Sequence, residues 1–393
     1  MANKNNTERI IALEKKHMMQ TYTRPAVIID HGNGCYVFDK SGKKYIDLVG
    51  GIATCTLGHG NKEFAEAVKG QIAKITSPSN LYHSEQQALL AEKLSNISGL
   101  DRCFFSNSGT ESVEAAIKLA RKHTGKSEII AMKHGFHGRT FGSLAATWKE
   151  KIKAPFGPML PGFVHVDYND IKAVEKAISK QTAAVIVEPI QGESGVIVPS
   201  GRYLNQLRET CDKHGILLVL DEIQTACGRT GKFFAYQHAC IKPNIVAVAK
   251  GLANGLPIGV TIATEKVAKS FGKGDHGSTF GGNPVSCSAA NFTIDEIISK
   301  KLMKNAALMG DYLIKKLKEI DSASIKEVRG KGLMVGMELN GNGEKIVNKC
   351  LEKGLLVNLA SEKVLRFLPP LTITKGIIDD SIIILREVIE NED

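Results

Sequence analysis

Six short apolar runs, separated by segments with helical periodicity, constrain the fold of this chain more than any other feature. Between residues 102 and 249 they read RCFFSN, EIIAM, FVHVD, AAVIVEP, ILLVLDE and NIVAVA. Apolar runs without polar alternation are typical of strands that are buried on both faces of a parallel sheet. The helical segments between them would cover those faces. The pattern therefore predicts an α/β fold built on a mostly parallel sheet.

The flanking regions predict a second, smaller unit. Residues 1–59 contain an amphipathic N-terminal helix followed by a hairpin, and residues 60–290 carry the parallel sheet. Residues 291–393 show an alternation that indicates a second, partly antiparallel sheet. A single helical run is predicted from about Pro284 to Leu317. We expect a large domain at 60–290 and a small α+β domain formed by 291–393 together with the N-terminal segment.

Composition and charge exclude several classes of function. Hydrophobic residues make up 43% of the chain and charged residues 23%, as in ordinary globular proteins. No apolar run approaches the roughly 18 to 20 residues of a membrane-spanning helix, and the charged N-terminus lacks a secretory signal, so a cytoplasmic protein without a membrane partner is expected. The +10 charge is dispersed and no nucleic-acid partner is expected. The eight cysteines lack zinc-site spacing, which predicts reduced thiols and no metal.

Three segments carry candidate chemistry at the ends of predicted strands. Ser108–Thr110 open a helical segment, where free N–H groups and the helix dipole favour a phosphate. Asp221 ends the run ILLVLD, and Lys250 follows NIVAVA, where desolvation would lower the pKa of its amine. Each feature alone also has a purely structural interpretation, as a helix cap or a charge at a strand end. Together they supply the three contacts that pyridoxal phosphate requires.

Longer motifs give the combination a family resemblance. In chain order they include YVFDKSGKKYIDLVGGIAT, LGHGN, SNSGTES, GFHGRT, VEPIQGESG, LDEIQTACGRTG, AKGLANGLPIG, HGSTFGGNP and VLRFLPP. With these motifs the chain resembles the class III, fold type I aminotransferases over almost its whole length. The resemblance implies a seven-stranded, mostly parallel sheet in the large domain and pyridoxal 5'-phosphate as cofactor.

The resemblance also implies roles at the cofactor. Lys250 would bind it covalently and later move a proton, and Asp221 would pair with the pyridine nitrogen. Gln224 would hydrogen-bond the phenolic oxygen, and Phe136 would stack on the ring. The other cofactor-binding residues implied are Ser108, Gly109 and Thr110 at the phosphate, Glu222 and Ile223 beside the aspartate, and Thr279 of the neighbouring subunit.

Substrate recognition follows from the same resemblance. Arg139 and Arg366 would receive carboxylates, for which a guanidinium fork is well suited. Glu193 would cover Arg366 while an ω-amine substrate is bound. Ser278 lies beside the cross-subunit threonine, and a complete site therefore implies a homodimer. Ile52 replaces a tyrosine with which ornithine aminotransferases hold a free α-amino group, so an acetylated amine fits better.

The expected reaction is transamination of N2-acetylornithine with 2-oxoglutarate, giving N-acetylglutamate 5-semialdehyde and glutamate. The alternatives left open are ornithine, succinylornithine, 4-aminobutyrate or the analogous lysine-pathway substrate, and a racemase or mutase of the same fold. The motif histidines His59, His134, His137 and His276 are interpreted as structural, because a lysine already supplies acid–base chemistry.

Overall fold

The computed structural model describes residues 2–391, which form three β-sheets, fourteen α-helices and three short 3-10 helices. The strands are β1 (Ile29–Asn33), β2 (Tyr36–Asp39), β3 (Lys44–Asp47), β4 (Arg102–Ser106), β5 (Glu128–Met132), β6 (Phe163–Val166), β7 (Thr182–Val187), β8 (Leu217–Asp221), β9 (Ile245–Val248), β10 (Gly259–Ala263), β11 (Ile325–Lys331), β12 (Met334–Leu339), β13 (Leu355–Leu356), β14 (Asn358–Ser361) and β15 (Val364–Phe367). The helices are α1 (Ala2–His17), α2 (Gly50–Ala53), α3 (Lys62–Lys74), α4 (Glu85–Ser98), α5 (Gly109–Thr124), α6 (Phe141–Ala146), α7 (Glu150–Lys153), α8 (Ile171–Ala177), α9 (Tyr203–His214), α10 (Glu265–Ala268), α11 (Pro284–Ser299), α12 (Leu302–Lys318), α13 (Glu344–Glu352) and α14 (Lys375–Glu390).

The central sheet has seven strands in the order β4-β10-β9-β8-β7-β5-β6. All six apolar runs form strands of this sheet, and the predicted α/β fold is confirmed. The seventh strand, β10, was not predicted, and it pairs antiparallel with both β4 and β9. The other neighbouring pairs are parallel. Six strands therefore run in one direction, and their carboxyl ends share one edge of the sheet.

Alternate residues of the central strands pack into separate cores on the two faces of the sheet. In β7, Val185 and Val187 join one hydrophobic cluster, whereas Ala184 and Ile186 join the other. The strands β8 and β9 divide in the same way. Burying one aliphatic side chain stabilises the fold by about 1.5 to 3 kcal/mol. Because both faces are covered, apolar residues are favoured at the inner positions of these strands, and polar residues such as Thr182 and Asp221 lie at their ends.

The two smaller sheets join distant parts of the chain. The hairpin β2–β3 is confirmed, and β3 also pairs in parallel with β13, so that Ile46 lies opposite Leu355. The third sheet, β11-β12-β15-β14, is antiparallel throughout. The N-terminal hairpin thus shares a sheet with a C-terminal strand. The domain boundaries at 59/60 and 290/291 stay a prediction.

The helical run after Pro284 is two helices and not one. The first ends at Ser299 and the second begins at Leu302, because Lys301 has a left-handed backbone conformation with φ 54°. The break lets α11 pack against α3 and α4 while α12 packs against β11 and α14. Across residues 2–391, no helix combines the length and the apolar character needed to cross a membrane.

Candidate active site

A cavity of about 400 Å³ opens where the parallel strands of the central sheet end. Its wall includes Asp221 at the end of β8, Glu188 just after β7, and Lys250 two residues after β9. The loop after β5, the first turn of α5 and residues 255–258 also contribute to the wall. Parallel α/β sheets bind ligands at this edge, because loops and helix N-termini converge there. The predicted candidate residues at the strand ends therefore meet in one cavity.

The first turn of α5 forms one end of the cavity. Ser108 is the N-cap, and its side chain accepts a hydrogen bond from the backbone N–H of Glu111. A Cβ atom on Gly109 would lie 2.8 Å from the Ile223 side chain, so glycine is needed for this close approach. The Thr110 hydroxyl lies 2.6 Å from that of Ser143. The remaining N–H groups of the helix start and its dipole make this end suited to a phosphate.

Lys250 lines the cavity from a strained position in the backbone. Its φ is 45°, in the left-handed region that residues other than glycine rarely adopt. Desolvation by the surrounding protein lowers the pKa of its amine, although the negative charges of Glu193 and Asp221 act in the opposite direction. A lowered pKa increases the fraction of neutral amine, which is the nucleophilic and basic form.

Asp221 forms a buried pair with His137. The Nδ1 atom of His137 lies 2.8 Å from Oδ2 of Asp221, and both side chains are at most 4% exposed. Burial lowers the pKa of His137, but its hydrogen bond with Asp221 and the charge of that residue outweigh burial and raise it. The other carboxylate oxygen accepts a hydrogen bond from the backbone of Ile223 at 3.1 Å. His137, interpreted from sequence as structural, thus orients the cavity's aspartate.

Glu188 is a cavity residue that the sequence analysis missed. Its carboxylate accepts hydrogen bonds from the backbone N–H groups of Phe136, at 2.9 Å, and Gly192, at 3.2 Å. Burial raises its pKa to about 7. Glu188 follows β7 as Asp221 ends β8, so the strand-end rule that selected Asp221 could also have selected this residue.

The two predicted carboxylate receptors differ in their surroundings. Arg139 lines the cavity and is exposed, with its guanidinium carbon 5.8 Å from the centroid of the Phe136 ring. Arg366 lies on β15 with a side chain only 1% exposed. Its Nη1 donates to Glu193 at 2.6 Å and to Gln224 at 3.2 Å. Gln224 also donates to Glu193 at 3.2 Å, which makes a closed group of three side chains.

Five predicted residues do not line the cavity of the chain. One is Arg366, which instead contacts the cavity residues Glu193 and Gln224. Glu222 is fully buried on the other side of the strand end, where it accepts hydrogen bonds from the backbone of Ala235 and Tyr236 at 3.0 and 2.9 Å. Thr279 lies in a separate small depression. Its neighbour Ser278 accepts a hydrogen bond from the cavity residue Asn107 at 3.1 Å. Ile52 does not line the cavity and is 38% exposed.

The donor set of the cavity fits pyridoxal phosphate. The glycine-opened helix start would hold the phosphate, and the Asp221 carboxylate would face a protonated ring nitrogen. The Lys250 amine, with its lowered pKa, suits a covalent bond to the cofactor's aldehyde. The ring of Phe136 supplies an aromatic face.

Known proteins resemble the chain over nearly its full length. The family model for class III aminotransferases matches residues 18–389. The acetylornithine aminotransferase of Archaeoglobus fulgidus is 47% identical over 375 residues, which cover 95% of this chain and 99% of the relative.

Solved structures agree with this similarity. The ornithine aminotransferase of Toxoplasma gondii, with partial occupancy of PLP at its active site, has a TM-score of 0.95 at 31% identity, covering 98% of this chain and 95% of that one. The acetylornithine aminotransferase of Elizabethkingia anophelis has a TM-score of 0.88 at 32% identity, covering 98% and 99%. With its cavity at the strand ends and these similarities, the chain belongs to the class III aminotransferases.

Proposed function

We propose that this aminotransferase transfers the terminal amino group of N2-acetylornithine to 2-oxoglutarate, giving N-acetylglutamate 5-semialdehyde and glutamate in arginine biosynthesis. The contrast between an open Arg139 and an Arg366 covered by Glu193 at 2.6 Å carries the proposal. A site that alternates between a substrate with one distant carboxylate and a dicarboxylate needs one permanent and one gated receptor. The 47% identical relative bears the name of the same activity.

The cofactor is pyridoxal 5'-phosphate, which supplies an electron sink for the carbanion formed when the donor loses a proton. Lys250 would hold the cofactor covalently, and its Nζ atom would move the proton between carbons. Asp221, oriented by His137, would keep the ring nitrogen protonated. Gln224 would donate to the phenolic oxygen and Phe136 would supply an aromatic face for the ring. The other cofactor-binding residues in the proposal are Ser108, Gly109, Thr110, Ile223 and, from the neighbouring subunit, Thr279. Glu222 is not among them, because its carboxylate is bonded to the backbone of residues 235 and 236 outside the cavity.

Substrate exchange depends on Arg366. Acetylornithine reacts at the end remote from its carboxylate, so only Arg139 binds a carboxylate and Glu193 neutralises Arg366. Glutamate reacts at the carbon that bears its α-carboxylate, which displaces Glu193 and binds Arg366. The two arginines therefore serve different halves of the reaction. An apolar Ile52 is proposed to favour the acetylated donor over free ornithine.

Half-reactions with separate amino donors test the proposed substrate. The cofactor's absorbance change should be fastest with N2-acetylornithine and glutamate, and slower with ornithine, succinylornithine, 4-aminobutyrate and the lysine-pathway analogue. A faster half-reaction with one of those donors would replace acetylornithine in the proposal. Conversion of an amino acid without any 2-oxoglutarate requirement would instead indicate a racemase or mutase.

Substitution of the two arginines should separate their roles. Arg139→Ala should slow both half-reactions, whereas Arg366→Ala should slow chiefly the glutamate half, because each change removes a charge-assisted contact worth about 1.5 to 3 kcal/mol. Single-turnover rates with each donor measure the effect. Equal loss of both halves in Arg366→Ala would contradict the gated-receptor role.

The proposed assembly is a homodimer in which Ser278 and Thr279 complete the partner's phosphate site. Large apolar side chains are exposed near this segment, including Leu81 at 86%, Tyr82 at 70% and Phe280 at 62%. Exposed apolar side chains gathered in one region are typical of an interaction surface. A cytoplasmic location is proposed as well, since all eight cysteines are free thiols.

Mixing two inactive variants tests this assembly. A dimer of one Lys250→Ala chain and one Thr279→Ala chain should contain one doubly damaged site and one intact site. Activity should return on mixing to about half that of the wild type for each mixed dimer. If Thr279 acted within its own chain, both mixed sites would be damaged and mixing would restore nothing.

A further inference from the structure

Arg329 lies in line with Arg366 on the antiparallel sheet of the C-terminal region. Along β11, β12 and β15, Arg329 lies opposite Gly336, and Gly336 lies opposite Arg366. Residues directly opposite one another project from the same face of a sheet. Two arginine side chains therefore flank a glycine that leaves the space between them open.

The loop 192–196, here called the Glu193 loop, lies over that glycine. Backbone hydrogen bonds between Gln191 and Ile197, at 2.9 and 3.1 Å, close the loop at its base. A Cβ atom on Gly336 would lie 3.0 Å from Cβ of Val196 and 3.1 Å from the carbonyl oxygen of Gly195. The space left by the missing side chain is thus occupied by the loop that carries Glu193.

Each arginine contacts one end of the Glu193 loop. Arg366 holds the Glu193 carboxylate at 2.6 Å. Arg329 donates from Nε and Nη2 to the carbonyl oxygen of Gly195, at 3.1 and 2.8 Å, and from Nε to that of Val196 at 3.2 Å. These carbonyls gain charge-assisted bonds, which are stronger than bonds between neutral groups.

Arg329 is itself fixed to the sheet. Its Nη1 donates to Glu338 at 2.6 Å and to Glu327 at 2.7 Å, and its side chain is 13% exposed. The loop end that it holds is unfavourable in isolation, since Val196 is β-branched, fully buried and has a φ of 56°. An external anchor is therefore needed to keep this backbone in place.

We propose that Arg329 is a positioning residue that sets substrate selectivity by holding the Glu193 loop over Arg366. The inference rests on the proposed function, in which Glu193 gates Arg366. With its carbonyl end anchored, the loop presents Glu193 to Arg366 at little entropic cost. Weakening the anchor allows more loop conformations in which Arg366 is uncovered, and this favours ligands that bear a second carboxylate near the reacting carbon.

Equilibrium binding of two unreactive acids to the holoenzyme tests the proposal. Glutarate carries two carboxylates and would use both arginines, whereas valerate carries one. In Arg329→Lys, the Kd of glutarate should fall about tenfold relative to that of valerate, because lysine lacks the planar fork that bonds two carbonyls and two carboxylates together. Calorimetric titration gives both constants without turnover. An unchanged ratio of the glutarate Kd to the valerate Kd, including the case in which both acids bind equally more weakly, would overturn the anchor role.

Two further variants make the result specific. Arg208→Lys is the matched control, because the Arg208 side chain has the same 13% exposure and donates to Asp212 and to a backbone carbonyl outside the cavity. Its ratio of glutarate Kd to valerate Kd should equal that of the wild type. Gly336→Ala should lower the ratio as Arg329→Lys does, since the added methyl group displaces the Glu193 loop.

Glu193→Gln separates this proposal from the proposed function. Glu193→Gln alone should lower the ratio of the glutarate Kd to the valerate Kd, and adding Arg329→Lys should not change this ratio further. If Glu193→Gln alters the ratio and Arg329→Lys does not, the anchor is wrong and the gate stands. If Glu193→Gln leaves the ratio unchanged, both the gate and its anchor are wrong.

Discussion

Lys250→Ala should abolish steady-state transamination, with a loss on the order of 10⁴-fold or more, because general acid–base catalysis and covalent cofactor attachment are both removed. Lys250 is the only lysine among the described residues that line the cavity. A neighbouring lysine therefore has no position from which to substitute. Initial rates with saturating amino and oxo acids measure the loss.

A second readout identifies the attached residue directly. Borohydride reduction of the wild-type holoenzyme, followed by peptide mass spectrometry, should place the cofactor on Lys250. Lys153→Ala is a suitable control, since Lys153 is also largely buried but pairs with Glu150 outside the cavity. Its rate should stay near that of the wild type. Cofactor found on another lysine would refute the assignment.

Asp221→Asn should retain cofactor yet lower kcat by about 10²- to 10³-fold, the range found when a group aimed at developing charge is removed. The substitution preserves shape, so the amide can still bond His137 and the backbone of Ile223. A neutral amide does not hold a proton on the ring nitrogen, and the electron sink is weakened.

Binding and rate should respond differently in this variant. Cofactor absorbance after gel filtration reports retention, and single-turnover kinetics report the chemical step. Asp212→Asn changes an exposed carboxylate on α9 that pairs with Arg208, and it should leave both readouts unchanged. A wild-type rate in Asp221→Asn would remove the residue from the reaction.

The central strands could be predicted because burial on both faces requires an apolar run without polar alternation, which is visible in the sequence. The strand β10 could not, because GVTIA directly follows a glycine-rich segment typical of a loop. Nothing in the sequence around Lys301 marks the break between α11 and α12, since neither glycine nor proline occurs there. A left-handed residue of this kind is imposed by the packing of both helices.

Site residues could be predicted from the sequence where they lie at the end of a predicted strand. That rule brings Asp221 and Lys250 into one cavity, and applied to AAVIVEP it would have added Glu188. His137 escapes the rule because it lies in an irregular loop, and only the folded arrangement brings its ring to Asp221. Arg329 escapes for a similar reason, since its contacts with residues 195 and 196 cross more than 130 positions.

The parallel pairing of β3 with β13 bears on the order in which the chain folds during synthesis. Ile46 leaves the ribosome long before its partner Leu355, and at about 5 to 20 residues per second the delay is roughly 15 to 60 s. Until then Tyr45, Ile46 and Leu48, which are buried in the finished fold, lack part of their cover. The nascent N-terminal hairpin therefore exposes apolar side chains, and an unpaired strand edge, until the C-terminal region has been made.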